Sequence, residues 1–455
     1  MKRRCTIGMI HYKIMGTDGV SLEMNKWKKV LEDAGHTVHL LGAEVGDDAK
    51  LIHPALHHTS IIAKRLYHYS FVEPVGFNDE EEYREVLYEE AGKAEEVLTR
   101  FIEEHKIDLL IPQNIWSVAM NPAVAIAMER VAKRFSLPVV AQHHDFYWER
   151  LGGAKISSPT AKELVQRYLP PLNPDYRHVV INTMGQSQML NRRSLESTII
   201  PNVFDFERPT WVIDEYNRDL RSAIGLAPED IMILQATRIV ERKGIELAID
   251  LIARINAKRD QLVGTTLWDG RTFKEDSVIV LVLAGYASDD ATGTYQKRLL
   301  EHAKEKKVPL KFISDSIGHE RAIIEDKKIY SLWDSYVHAD LITYPSYWEG
   351  WGNQFLEGLF AKRPMVVYEY PIFISDIKER GFDYISLGST HKKDDKNGLI
   401  RISAELLEVA ADLAISYLTD EKMRETAVEK NFKIGKEFYS MEALKGYLLP
   451  LIEER

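Results

Sequence analysis

The sequence predicts an α/β protein made of two doubly wound domains. Three observations predict it. The chain opens with a strand, a glycine turn, a helix and a second strand. A second series of that kind starts at Ile231. At 455 residues the chain is also too long for one compact core.

The first series begins with a β run from Thr6 to His11 and the turn Gly16-Thr17-Asp18-Gly19. A helix follows, with Val20, Met24, Trp27, Leu31 and Ala34 on one face and Gly35 as its stop. The run Thr37 to Leu41 completes a βαβ opening, which favours a parallel sheet. Residues 43–79 are histidine-rich and poorly periodic, and read as an insertion or mobile loop. An acidic helix spans about Glu80 to Glu104, and a strand Ile107 to Ile111. Asn121-Pro122 reads as the N-cap and first-turn proline of a helix to about Phe135. Pro138 to Gln142, His178 to Asn182 and Thr198 to Ile200 supply further strands.

Pro201-Asn202 ends this half. We expect a first domain over 1–205, a linker over 206–228, a second domain over 229–435, and a final helix, 436–455, packing back on the first. The second series runs Ile231 to Ala236 (strand), Gly244 to Lys258 (helix), Val278 to Ala284 (strand), Gln296 to Lys306 (helix) and Leu310 to Ile313 (strand). Strands Leu341 to Tyr344 and Met365 to Tyr368 flank a helix from Asn353 to about Ala361, and from Ala404 the chain reads as helical. Doubly wound domains bind ligands beyond the carboxyl ends of their strands, so the expected site is a facing cleft.

Hydrophobic residues at 45% and charged residues at 28% are ordinary for a globular protein, and the formal charge is -10. That charge argues against a nucleic-acid backbone as the main partner but not against a small diphosphate. Cys5 is the single cysteine, so neither an intrachain disulfide nor a cysteine metal cluster can form, which fits a cytoplasmic protein. Val278 to Ala284, the longest apolar run, is too short to span a bilayer. The basic start Met1-Lys2-Arg3-Arg4 is followed by too short an apolar stretch for a signal peptide.

Four segments could carry chemistry. Pro345 to Glu357 (PSYWEGWGNQFLE) follows a buried strand and enters a helix. Gly350 and Gly352 let backbone approach a ligand, and the helix start offers unpaired N–H groups. Glu349 falls in the loop and Glu357 about two turns on; a loop carboxylate there can hold sugar hydroxyls or oppose a cationic sugar transition state. Trp348 and Trp351 either stack on a sugar or base, or pack over the loop. The second segment, Arg238 to Gly244, also lies between a strand and a helix, and Arg238 and Lys243 could face a diphosphate. Its plain structural reading is an exposed loop with Arg238 paired to Glu241.

Gly16 to Ser21 could cradle a phosphate, yet it has neither the GxGxxG spacing nor the GK[ST] ending of the nucleotide fingerprints. His143-His144-Asp145 follows a strand, where a histidine can donate to a substrate; three adjacent side chains do not readily face one metal ion. His53, His57, His58 and His68 form a second histidine group, read as a solvated loop.

Taken in order, these segments resemble the large retaining glycosyltransferase family 4 of the GT-B fold, two Rossmann-like domains facing a cleft. The similarity covers nearly the whole chain and is densest from Pro201 to Val367. The family's E-x7-E element resembles Glu349 through Glu357, and its arginine followed by Lys-Gly resembles Arg238 with Lys243-Gly244. Its first-domain histidine resembles His144, and the proline-asparagine ending resembles Pro201-Asn202.

The resemblance implies that Arg238 and Lys243 bind a donor diphosphate and that Glu357 holds the ribose hydroxyls. It puts Glu349 beside the transferred sugar, with amides of Gly350, Trp351, Gly352 and Asn353 on its hydroxyls. Gly19 would approach the phosphates, Asp18, His144 and Asp145 the acceptor side, and His144 the sugar. It also implies retention of anomeric configuration with no metal and no cofactor beyond a nucleotide-diphosphate sugar.

The chain departs from the family pattern at Lys362, where glycine is common, and at Asn353, where an apolar residue is usual. Glu369-Tyr370-Pro371-Ile372-Phe373 stands where Gly-Gly-x-Pro-Glu is usual. The expected activity is hexosyl transfer, with GDP-mannose ahead of UDP- or ADP-glucose. Acceptors in view are a small glycerate or glucosylglycerate solute, a nucleoside, a lipid or a glycan. A glycoside phosphorylase, a sugar-nucleotide epimerase and a catalytically silent sugar-nucleotide sensor share these features. The residues leave the linkage and oligomeric state open.

Overall fold

A computed structural model of the chain describes residues 4–14, 19–46, 52–149, 153–156, 158–285 and 293–453. The residues form two compact units, Met1–Val203 with Met441–Arg455, and Phe204–Ser440. Both are Rossmann-like.

The first unit holds a six-stranded sheet of β1 (Thr6–Ile10), β2 (Thr37–Leu41), β3 (Leu109–Pro112), β4 (Val139–His143), β5 (Tyr176–Val180) and β6 (Thr198–Ile199), in the order β2-β1-β3-β4-β5-β6. Every pairing is parallel; Ile7, for instance, sits opposite Val38 on one side and Leu109 on the other. The inner strands are continuous apolar runs because both sheet faces are covered. One face packs under α2 (Ile61–Phe71), α3 (Glu80–His105), α4 (Pro122–Arg134) and α5 (Pro159–Tyr168), burying Tyr83, Leu87, Leu98, Trp116 and Ile126. The other face packs under α1 (Gly19–Asp33) and the C-terminal helix Met441–Glu453, which join through Met24, Trp27, Leu31, Leu444 and Leu448.

Helix α3 shows why the sequence folds this way locally. Tyr83, Leu87, Ala91, Ala94 and Leu98 recur at helical spacing and are buried. The side chain of Asp79 accepts from the Glu82 N–H, and Glu80, Glu81 and Glu82 put negative charge at the positive helix end.

The second unit repeats the plan with β7 (Ile231–Gln235), β8 (Ile279–Leu283), β9 (Leu310–Phe312), β10 (Leu341–Tyr344), β11 (Met365–Val367) and β12 (Ile385–Ser386), in the order β9-β8-β7-β10-β11-β12. These pairings are parallel throughout. Strand order reverses between β1 and β3 in the first sheet and between β7 and β10 in the second, and such reversals open a crevice at the carboxyl ends.

Three expectations need correction. The stretch 43–79, read as a loop, contains β-paired Glu44–Val45, a turn at Pro54–Leu56 and helix α2. Ser60 caps α2 by accepting from Ala63 N at 3.2 Å; Ala63, Leu66, Tyr69 and Ser70 face inward, while Ile61 at 82% exposure blurs the apolar period. The strand placed at His178 to Asn182 lies at Tyr176–Val180, since Asn182 caps the next helix, α6 (Thr183–Arg193). Asn121 does occupy the N-cap of α4, but its side chain makes no cap bond; its amide donates instead to the Ala55 carbonyl at 3.3 Å. The Gly16-Thr17-Asp18 part of the first turn lies outside the described residues. No helix among those described is long and apolar enough to cross a membrane.

Candidate active site

In the second unit two loops leave the sheet on either side of its reversal. One follows β7 and runs to Gly244, where α7 (Ile245–Asn256) begins; the other follows β10 and runs to Gly352, where α10 begins (α8 Thr294–Lys306, α9 Leu332–His338, α10 Asn353–Phe360). Gln235 at the end of β7 ties them together. Its amide nitrogen donates to Thr237 Oγ1 at 3.1 Å, and its amide oxygen accepts from Thr343 Oγ1 on β10 at 3.1 Å. The Tyr347 N–H donates to the Arg242 carbonyl at 3.0 Å. Gly244 has φ of +57°, and a Cβ there would overlap the Pro345 carbonyl oxygen. Glycine after Lys243 is therefore what lets the two loops touch.

That contact brings Lys243 and Glu349 together. Lys243 Nζ bonds Glu349 Oε1, and Arg242 Nη1 donates to Oε2 at 2.7 Å. The Lys243 and Glu349 side chains are 10% and 11% exposed, so this is a buried pair rather than a solvated one. Burial alone would raise the Glu349 carboxyl, but the charges of Lys243 and Arg242 outweigh it and hold the group below the ordinary glutamate range. For Lys243, burial pulls the ammonium down, Glu349 opposes that, and Arg242 and Arg238 add to it. The pair is ionic at neutral pH because Glu349 faces two cations directly, Lys243 and Arg242.

Arg238 is exposed, and Glu241 pairs with Arg298. Arg242 was not among the expected site residues; only the three-dimensional course of the loop turns it toward Glu349. Glu357 lies on α10. It is partly buried and accepts from the Tyr336 hydroxyl at 2.6 Å, a contact the sequence gave no sign of. The two glutamates thus occupy different chemical settings.

Gly350 is exposed and Asn353 opens α10 half-buried. Trp351 is buried edge-to-face on Tyr439, so its ring is no stacking platform, whereas Trp348 is 48% exposed. The Trp351 carbonyl accepts from the Tyr370 hydroxyl at 2.5 Å, and that hydroxyl fills the space a Cβ on Gly352 would need. Glu369, where the family pattern has glycine, is occupied by Lys378, Tyr384 and Ser386.

In the first unit the reversal lies between β1 and β3. The His144 N–H donates to Asn114 Oδ1 at 2.7 Å, and its ring Nε2 lies 3.2 Å from Gln113 Oε1. His143 turns to a different neighbour, His178 on β5, at 3.0 Å, and burial drives it well below the ordinary histidine value. His144 is thus the histidine of this pair at the crevice. Asp145 is exposed and Gly19 opens α1, while Asp18 lies outside the described residues. Among the described residues no group of three His, Cys, Asp or Glu side chains could hold a metal ion. The histidines at 57 and 58, read as a solvated loop, are partly buried, with His57 Nε2 3.0 Å from Glu44.

Comparison with known proteins adds the following. A family model described as glycosyl transferases group 1 matches residues 217–433. Mannosylglucosylglycerate synthase of Petrotoga mobilis is 37% identical over 440 residues, covering 96% of this chain and 98% of the relative. The protein of that name from Thermotoga maritima is 35% identical over 442 residues, covering 97% and 98%. Among solved structures, a glycosyltransferase from Rickettsia africae superposes with a TM-score of 0.63 over 99% of this chain and 98% of that one, at 13% identity.

Proposed function

The chain belongs to the glycosyl transferases group 1, and from that premise we propose that it transfers a mannosyl residue from GDP-mannose to glucosylglycerate with retention of anomeric configuration. Two near-full-length relatives bearing the name mannosylglucosylglycerate synthase support the acceptor and sugar. The observation that carries the reaction class is the buried Lys243–Glu349 pair, joined by Arg242, at the second sheet's reversal.

Breaking the bond between the sugar's anomeric carbon and the diphosphate leaves negative charge on the departing phosphate. Arg238 and Lys243 cancel it, and the buried Lys243 acts the more strongly because water is excluded there. Glu349, held ionised, opposes the positive charge that develops on the sugar. The amides of Gly350 to Asn353 hold the sugar hydroxyls, and Glu357 holds the ribose. Asp18, His144 and Asp145 serve the acceptor side, with His144 also donating to the sugar. A cytoplasmic setting and freedom from a bound metal or further cofactor complete the reading.

The test is a thermal-shift panel of GDP-, UDP- and ADP-sugars, followed by NMR of the product, since a ligand that binds the native state raises its apparent stability. GDP-mannose is expected to give the largest shift, and the product an anomeric coupling that matches the donor. A larger shift with UDP- or ADP-glucose overturns the donor, and an inverted product overturns retention.

A further inference from the structure

The Trp351–Gly352 peptide is bonded at one end and open at the other. Its carbonyl accepts from the Tyr370 hydroxyl, while the Gly352 N–H meets no acceptor among the described residues. Gly352 is buried, and a buried backbone donor without a protein partner is rare in a native fold. Helix α10 does not supply one. A capping box needs a polar side chain at the third helical position, and Phe355 stands there.

Tyr370 is itself well fixed. Its carbonyl accepts from the Ile374 N–H at 3.1 Å. Its fully buried ring meets Tyr344 edge-to-face at 5.9 Å and lies 5.8 Å from Phe373. Burial, with the Glu349 charge next, raises the hydroxyl well above the ordinary tyrosine value, so it keeps its proton and donates at neutral pH. Glycine, the residue usual at this position in the family pattern, has no group to make the contact.

Gly352 does not fix the peptide plane by its own sterics, because without a Cβ it tolerates many backbone angles. Tyr370 supplies that constraint. In a trans peptide the C=O and N–H point opposite ways, so a hydroxyl bonded to the Trp351 carbonyl turns the Gly352 N–H away from Tyr370. Polarising the carbonyl also strengthens the N–H as a donor. We propose that Tyr370 is a positioning residue whose hydroxyl sets the Trp351–Gly352 peptide so that the Gly352 N–H holds a hydroxyl of the transferred sugar. The proposal rests on the functional reading above for the presence of a sugar at these amides.

The experiment has two measurements on the full-length protein. The first is calorimetric affinity for GDP-mannose and for GDP, which lacks the sugar. Tyr370→Phe keeps the buried ring and removes only the hydroxyl. It is expected to weaken GDP-mannose roughly fivefold, the net strength of one ordinary hydrogen bond, and to leave GDP unchanged. Loss of a merely structural contact weakens both ligands alike or neither, and either result overturns the positioning role.

The second measurement is NMR of the peptide itself, and its main arm needs no variant. Trp351–Gly352 is the one Trp-Gly step in the sequence, so isotopic labelling of tryptophan at its carbonyl carbon and glycine at its nitrogen selects that peptide alone. GDP-mannose is expected to move the Gly352 N–H signal saturably, and GDP to move it less. Tyr370→Phe is expected to shift the Trp351 carbonyl signal before any ligand is added. A Gly352 signal that stays put while GDP-mannose binds, or an unmoved carbonyl in the variant, overturns the proposal. If GDP-mannose does not bind the native chain, the functional reading falls at its donor, and UDP-glucose with UDP takes its place in both measurements. If that pair does not bind either, the proposal falls with the reading.

Discussion

Lys243 and Glu349 lie 106 residues apart in sequence and form a buried ion pair at the ends of two adjacent strands of one sheet. Removing either leaves a buried charge with fewer partners. Glu349→Ala and Lys243→Ala are each expected to lower transfer by at least about two orders of magnitude through lost charge stabilisation. Steady-state rates of the purified, folded variants check this, and near-normal turnover in both sinks the site assignment.

The pH dependence follows from the same pair. Glu349 has a folded-state value below its unfolded one, so its contribution to stability is complete above the ordinary carboxylate range and disappears as pH falls through the depressed value. The native enzyme should show no acid limb from Glu349 at about pH 5 or above. In Lys243→Met the carboxyl keeps its burial but loses a cation, so its value rises and the acid limb moves to higher pH. A pH–rate profile of residual activity in which the limb stays put or moves lower counts against the ionic pair.

Gly244→Ala tests the contact that joins the loops. Alanine at φ of +57° costs about 1–2 kcal/mol, before any displacement of the Pro345 carbonyl is counted. Melting of the variant should fall by at least roughly 2–4 °C, with weaker donor protection. An unchanged melting temperature means the loops yield freely.

The two loop tryptophans should separate cleanly. Trp351→Ala empties a packed site against Tyr439 and is expected to cost about 3–5 kcal/mol. Trp348→Ala removes an exposed ring and should leave stability within about 0.5 kcal/mol while raising KM for a substrate that stacks there. Calorimetry and kinetics on both variants decide the matter; a KM unaffected in Trp348→Ala removes that ring from the site.

On the proposal that Arg238 and Lys243 bind the diphosphate, transfer should persist in EDTA. Activity abolished by the chelator and restored by a divalent ion would show that these cations do not suffice.

Much of the scaffold was legible because its signals are local. Apolar runs such as Ile279–Leu283 and Leu341–Tyr344 announce strands buried on both faces, and the spacing of Tyr83, Leu87 and Leu98 announces α3. Helix α6 was missed because only Gly185 and Met189 of its residues are buried, too few for an apolar period. At the site, Glu349, Lys243 and Gly244 could be singled out by residue type and position beside strands. Arg242 and Tyr336 could not, since one depends on how a loop turns and the other on a helix packing beside α10. The setting of His57 and His58 was illegible for a related reason: it comes from Glu44 and Tyr12, whose contacts with them exist only in the fold.

The buried Lys243 and its neighbour Arg242 at the second sheet's reversal also have a bearing on turnover. A nucleoside diphosphate carries more negative charge than the sugar-capped donor from which it came. A site that stabilises the departing group should therefore hold the spent nucleotide more tightly than the fresh donor. Release of that product, rather than bond breaking, then becomes the step that sets the rate, and added nucleoside diphosphate should compete with the donor. Salt, by screening the exposed Arg238 more than the buried Lys243, should speed release before it harms the chemistry.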